Sequence, residues 1–139
     1  MSVTVQLLEA LLSPAAEQRQ PAEEYLKAMT GTDRCGAFLQ AMPTIQQPHL
    51  QQMIAVLLRR DILQMQPQHI SILPDMVDPL LAAFGNSDSS RRTSVGDCLA
   101  EVCAVLSVLA PSECAPVLQR ILQAIGTSVR LCTYGYTQY

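Results

Sequence analysis

The chain has no tryptophan and few other aromatic residues. Aromatic residues make up 4% of its 139 residues, charged residues 15% and apolar residues 49%. A core with so few aromatic rings must be built from Leu, Ile, Val, Met and Ala. This composition favours helices packed on helices over a β-sheet, in which β-branched and aromatic residues are preferred.

Basic tracts, long apolar runs and a signal peptide are also missing. The net charge is −3 and no segment is rich in Lys and Arg, so we expect no nucleic-acid partner. No apolar run reaches the roughly 18 to 20 residues that a membrane-spanning helix needs, so we expect no membrane partner. The N-terminal segment MSVTVQLLEALL lacks the basic region of a secretory signal peptide.

The cysteines and histidines have none of the spacings that metal sites use. Cysteines stand at positions 35, 98, 103, 114 and 132 without a Cys-x-x-Cys pair, and the histidines are His49 and His69. We therefore expect no metal and no cofactor, and we infer a reducing compartment, the cytoplasm or nucleus. No glycine-rich phosphate loop, paired-carboxylate motif or nucleophile signature is present, so we do not expect an enzyme.

The clearest local pattern is the amphipathic segment Leu50–Gln64. It follows Pro48, which suits the first position of a helix because its missing N–H would be unpaired there anyway. It ends before Pro67, which a helix does not readily continue through. Its apolar residues have the spacing of one helix face: Leu50, Met53, Ile54, Leu57, Leu58 and Ile62. A helix with such a face must be covered by other helices.

Proline, glycine and capping residues divide the rest of the chain into six further predicted helices. They are Val3–Leu12, Pro14–Thr30 with Ser13 as N-cap, Arg34–Ala41 capped by Asp33, His69–Phe84 (or from Pro74), a helix capped by Asp88, Ser89 or Ser90 that runs to Leu109, and Glu113–Ile125. Gly31 and Gly126 are expected to end the helices before them. Pro21 and Pro79 are expected to produce kinks.

These predicted helices alternate between short and long with a period near 40 residues. A period of roughly 40–47 residues with two helices per unit is typical of HEAT or armadillo arrays. The predicted fold class is therefore all-α, an α-α superhelix of about three and a half helix pairs. The predicted pairs cover residues 3–30, 33–64 and 70–109, a half repeat covers 113–126, and 127–139 form a tail that leads into further repeats. The last helix presents an apolar face, which predicts a possible dimer.

Three segments resemble the first repeats of importin-beta-type nuclear transport receptors. The first, LLEALLSPAAEQRQPAEEYLKAM, has the family's LLSP turn and the later Arg and Ala-Glu positions. The second is QMIAVLLRRDI (Gln52–Ile62), and the third is SSRRTSVGDCLAEVCAVL (Ser89–Leu106). The pattern is closest to the branch that imports ribosomal proteins and histones. Gln20-Pro21 departs from it, because the family usually continues with helix formers there.

The resemblance implies a receptor that acts in nucleocytoplasmic protein import. In this family the first repeats bind the small GTPase Ran in its GTP form through the second helix of each pair. Cargo proteins and phenylalanine-glycine nucleoporins bind mainly further along the array. The implied Ran-binding candidates are polar residues of the second helices: Glu24, Lys27, Gln52, Arg59, Arg60, Asp97 and Glu101.

Two alternatives remain open at this stage. Each candidate residue could simply belong to a solvated helix face, or Arg59 and Arg60 could pair with Asp61 or Glu101 between stacked helices. The whole chain could also be a helical-repeat scaffold or adaptor subunit that does not depend on Ran, because fold alone does not determine function.

Overall fold

Seven α-helices and one short 3₁₀ helix make up most of the described chain, in which no strand occurs. A computed structural model describes the backbone of residues 2–85 and 89–137 and the side chains of residues 2–85 and 92–126. The helices are α1 (Val5–Leu12), α2 (Ala16–Ala28), α3 (Gly31–Ala41), α4 (Pro48–Leu63), α5 (Leu73–Gly85), α6 (Ser89–Leu109) and α7 (Pro111–Thr137), and the 3₁₀ helix Pro67–Ile72 precedes α5. None of the helices in these ranges is long and apolar enough to cross a membrane.

Several predicted helix ends are confirmed and others are wrong. Pro48 is the first residue of α4, as predicted. Gly31 does not end α2. It begins α3, because the Thr30 hydroxyl caps that helix by accepting the Asp33 N–H at 3.1 Å. Ser13 is not an N-cap residue either, since Ala15 takes that position before α2.

The C-terminal half of the chain also differs from the prediction. The helix expected over residues 69–84 is a 3₁₀ helix followed directly by α5, which begins at Leu73. Gly126 lies inside α7, which continues to Thr137, so most of the predicted tail is helical. The capping candidate Asp88 lies outside the described residues, and Ser89 and Ser90 are the first two residues of α6. Pro21 and Pro79 lie inside unbroken helices, so neither ends its helix.

The apolar face of α4 lies at the centre of the core, as its pattern predicts. Leu50, Ile54, Leu58 and Ile62 are fully buried. Burying a side chain of this size stabilises the fold by about 1.5–3 kcal/mol relative to leaving it exposed. The same core cluster includes residues from the other helices, among them Leu8, Phe38, Leu73, Val77, Leu80, Val102 and Leu106.

The helices pack in sequential pairs, with α1 against α2, α3 against α4 and α5 against α6. The most extensive contact between helices joins α4 to α6, and α7 packs on both α6 and α5. The first pair reaches the rest of the molecule partly through a contact of α1 with α4. Helices α4 and α6 therefore lie side by side.

A buried ion pair joins the two helices of the second pair, and further hydrogen bonds from its arginine reach the end of the first pair. The Arg34 guanidinium of α3 donates to both carboxylate oxygens of Asp61 on α4, at 3.0–3.2 Å. Its remaining nitrogen donates to the carbonyl oxygens of Leu26 at 3.0 Å and Met29 at 2.7 Å, at the C-terminal end of α2. Hydrogen bonding to Asp61 raises the pKa of Arg34. Asp61 thus pairs with Arg34, and the alternative pairing with Arg59 or Arg60 is wrong.

Candidate protein-interaction surface

Three of the predicted candidate residues form one charged cluster across α4 and α6. Arg59 of α4 lies 3.2 Å from a carboxylate oxygen of Glu101 and 3.9 Å from one of Asp97, both on α6. Arg59 and Asp97 are about half exposed, and Glu101 is more buried, at 17% side-chain exposure. The pairing of Arg59 with Glu101, one of the two alternatives left open by the sequence, is therefore present in the structure.

Close packing of the two helices beneath the cluster fixes its geometry. The Cys98 thiol, fully buried on α6, donates to the Ala55 carbonyl oxygen of α4 at 3.1 Å. Burial raises the pKa of the Cys98 thiol to about 12, so this thiol stays protonated and can donate the bond at neutral pH. Ala55 and Arg59 are one helical turn apart, as are Asp97 and Glu101, so the cluster lies directly above this contact.

Exposed apolar residues flank the charged cluster, and the sequence reasoning did not identify them. Val56 and Leu63 of α4 are 59% and 62% exposed, and Val108 of α6 is 77% exposed. Val56 lies outside the periodic apolar face of α4. The sequence alone therefore indicates that this apolar side chain is exposed. Mixed apolar and charged surfaces of this kind are typical of protein-interaction sites, where bulk hydrophobicity alone is not distinctive.

Gln52 and Arg60 complete this face of α4. Gln52 is exposed two helical turns before Arg59, roughly 10 Å along the axis. The exposed Arg60 side chain has no ion-pair partner among the described residues. We call this area the α4–α6 surface, defined by Gln52, Val56, Arg59, Arg60, Leu63, Asp97, Glu101 and Val108.

The structure does not bring Glu24 and Lys27 into this surface. Both are exposed on α2, and neither has an ion pair or a side-chain hydrogen bond with α4 or α6 in the part of the chain that is described. Helix α2 makes no contact with α4 as extensive as that between α4 and α6. Glu24 and Lys27 therefore take no part in the charged cluster that joins α4 and α6.

No group of three or more His, Cys, Asp or Glu side chains within the described ranges could hold a metal ion. A comparison of the chain with known protein families, curated proteins and solved structures finds no match. The resemblance of the three segments to nuclear transport receptors therefore stays a prediction.

Proposed function

We propose that this chain carries the amino-terminal repeats of an importin-beta-type transport receptor and binds Ran in its GTP form through the α4–α6 surface. The receptor would act in nuclear import, between cytoplasm and nucleus, with cargo and nucleoporins bound by other repeats. The observation that carries the proposal is the Arg59–Asp97–Glu101 cluster. It lies on two adjacent second helices, within two of the three segments that resemble the family.

The proposal includes a HEAT-type solenoid as the finer description of the fold. Pairwise packing of α1 with α2, α3 with α4 and α5 with α6 supports it, as does the stacking of α6 on α4 and of α7 on α5. In such an array each pair buries its faces against its neighbours. The contact of α1 with α4 is a departure from uniform stacking, and it occurs in the pair where Gln20-Pro21 departs from the family pattern.

The charges of the α4–α6 surface suit a partner that is recognised by electrostatic complementarity. Two arginines lie beside two carboxylates, so the surface can pair with groups of either sign. An exposed ion pair contributes only about 0.2–1 kcal/mol to stability, so a partner can replace it at small cost to the fold. Complementary charges of this kind mainly raise the association rate and the specificity of a complex.

The test is a calorimetric titration of the chain with Ran loaded with a non-hydrolysable GTP analogue and, separately, with GDP. We expect binding to the GTP form only. Arg59→Glu should weaken it at least tenfold, because the substitution places three carboxylates together and reverses the charge offered to the partner.

Arg120→Glu is the matched control. Arg120 of α7 is also a partly exposed arginine that pairs with one carboxylate on another helix, Asp78 of α5, but it lies outside the α4–α6 surface. We expect this variant to bind as the unmodified chain does. Equal binding to both nucleotide states, or to neither, would contradict the proposal and favour a scaffold that does not depend on Ran.

A further inference from the structure

Two partly exposed cysteines lie next to each other where α6 packs against α7. Cys103 is on α6 and Cys114 is in the first turn of α7, and Ala110 alone connects the two helices. The Cys114 thiol donates a hydrogen bond to the Cys103 carbonyl oxygen, with 3.5 Å between the sulfur and the oxygen. The packing of α6 on α7 therefore holds these two residues side by side.

The two residues are close enough for a disulfide bond to form. A carbonyl oxygen lies about 2.4 Å from the Cα atom of its own residue, so the Cys114 sulfur lies within about 6 Å of the Cys103 Cα atom. Disulfide-bonded cysteines have Cα atoms about 4.4–6.8 Å apart. Neither side chain is fully buried, so each sulfur can rotate about its Cα–Cβ bond into another staggered position.

The other two cysteines with described side chains do not share this accessibility. Cys35 and Cys98 are fully buried, at 1% and 0% exposure, and burial raises the pKa of each thiol to about 12. The thiolate is the reactive form of cysteine, so these two should be inert in the folded chain. The pKa of Cys103 is raised as well, by burial and then by the neighbouring Cys114 thiol. A reagent in solution should therefore modify Cys103 and Cys114 before Cys35 and Cys98, and faster at mildly alkaline pH.

We propose that Cys103 and Cys114 form a reversible disulfide, which links α6 to α7 when the chain meets an oxidising small-molecule disulfide. Attack of one protein thiolate on that reagent forms a mixed disulfide and releases one small thiol. Attack of the second protein thiolate on the protein sulfur of the mixed disulfide forms the internal bond and releases the second small thiol. The protein loses two protons and two electrons, and the reagent takes up both as it is reduced to two thiols.

This site is independent of the proposed GTPase interaction, because neither cysteine belongs to the α4–α6 surface. It is also compatible with a reducing compartment, in which disulfides are usually transient and redox-sensing. The link would close a short loop that contains the junction of α6 and α7. Closing a loop constrains the unfolded chain, so the oxidised form should hold these two helices together more firmly.

The experiment treats the folded, unmodified chain with glutathione disulfide at mildly alkaline pH, alkylates the remaining thiols and maps the peptides by mass spectrometry. Cleavage after glutamate and arginine separates Val102–Glu113 from Cys114–Arg120, and Cys132 falls on a further peptide. We expect the first two peptides to be joined by a disulfide, with glutathione on neither of them. Dithiothreitol should restore both thiols.

Single substitutions test whether the two thiols act together. In Cys103→Ser and in Cys114→Ser the remaining thiol has no partner, so glutathione should stay attached to it. Because a neighbouring thiol acts at a high effective concentration, this adduct should be at least roughly tenfold more abundant than on the same peptide of the unmodified chain.

The urea-unfolded chain is the control for proximity in the fold. Unfolding removes the packing of α6 on α7, and Cys98 is nearer to Cys103 in sequence than Cys114 is. Shorter loops close at a lower entropic cost, so a mixture of pairings that includes Cys98 with Cys103 should appear.

Three results on the folded chain would overturn the proposal. They are a glutathione adduct that persists without joined peptides, a link that involves Cys35, Cys98 or Cys132 in place of the proposed pair, and the absence of any reaction. If circular dichroism shows that a serine variant does not fold, the peptide map of the unmodified chain decides the question alone.

Discussion

Replacing Asp61 with alanine should destabilise the fold more than any change on the α4–α6 surface. The Asp61 side chain is 2% exposed and accepts hydrogen bonds from two nitrogens of the Arg34 guanidinium. Its removal leaves that guanidinium without its counter-ion in a largely buried position. Breaking a buried pair typically costs about 3–5 kcal/mol, and we reduce this to roughly 2–4 kcal/mol because Arg34 is 21% exposed.

The loss in the free energy of unfolding can be measured by urea denaturation followed by far-UV circular dichroism. A loss of this size is a large part of the roughly 5–15 kcal/mol by which domains are stable, and it should lower Tm by about 10 °C. Arg59→Ala is the control, because Arg59 forms a half-exposed pair that should contribute less than about 1 kcal/mol.

A double substitution separates the ion pair from simple packing. Arg34→Met combined with Asp61→Leu replaces both charges with apolar side chains of similar volume, which is often neutral or stabilising for a buried pair. We expect the double variant to be more stable than Asp61→Ala alone, although Arg34→Met also removes the bonds to the Leu26 and Met29 carbonyls. Ordinary surface substitutions change the free energy of unfolding by less than about 0.5 kcal/mol. If Asp61→Ala changed it by no more than that, the reasoning would be refuted.

Three further predictions concern other parts of the molecule. Exchanging the charges of the exposed pair, as Arg59→Glu with Glu101→Arg, should change the free energy of unfolding by less than about 1 kcal/mol relative to the unmodified chain, as measured by urea denaturation. A larger loss would mean that this pair contributes substantially to the stability of the fold. Because burial raises the pKa of the Cys98 thiol in the folded state to about 12, the contribution of this thiol to stability should be fully present below pH 9 and fall above it by up to about 1.4 kcal/mol per pH unit, since the unfolded chain releases this proton first. Burial also raises the pKa of Cys35 to about 12, so Cys98→Ala should reduce the total slope, without abolishing it, in denaturation measured from pH 8 to 11. Leu118 and Leu122 form an exposed apolar stripe on α7, at 42% and 59% exposure. The double substitution Leu118→Glu with Leu122→Glu should therefore shift any dimer detected by light scattering towards monomer. If the unmodified chain and the double variant are both monomers, this face is excluded as an interface.

The sequence predicts helices well where two independent signals agree. For α4, a proline at the first position and a regular apolar face specify both where the helix starts and which side is buried. Single glycines were poor predictors of helix ends. Gly31 follows Thr30, whose hydroxyl caps the next helix, so the glycine is taken into α3. Gly126 costs its helix about 1 kcal/mol relative to alanine, and the residues on both sides of it still continue α7.

The ion pairs were only partly predictable, because local sequence patterns do not determine how neighbouring helices are aligned. The pairing of Arg59 with Glu101 was one of the alternatives, because both lie on the polar faces of helices expected to stack. The pairing of Arg34 with Asp61 was not foreseen, because it depends on how α3 and α4 are aligned, which no local pattern determines. Asp61 lies one position before the fully buried Ile62 and three after Leu58. A carboxylate at such a position is the one local sign that a buried partner exists.

Arg34 and Arg59 should affect different properties of the protein. Arg34 is bound by a buried carboxylate and two backbone carbonyls, so its donors are already used within the fold. Arg59 is half exposed and lies between Val56 and Leu63, whose apolar side chains are largely exposed to solvent. A partner that covered those two side chains would also exclude water from around Arg59, which strengthens the electrostatic interaction of Arg59 with charged groups of the partner. The effect of Arg59 should therefore appear in binding, whereas that of Arg34 should appear in stability.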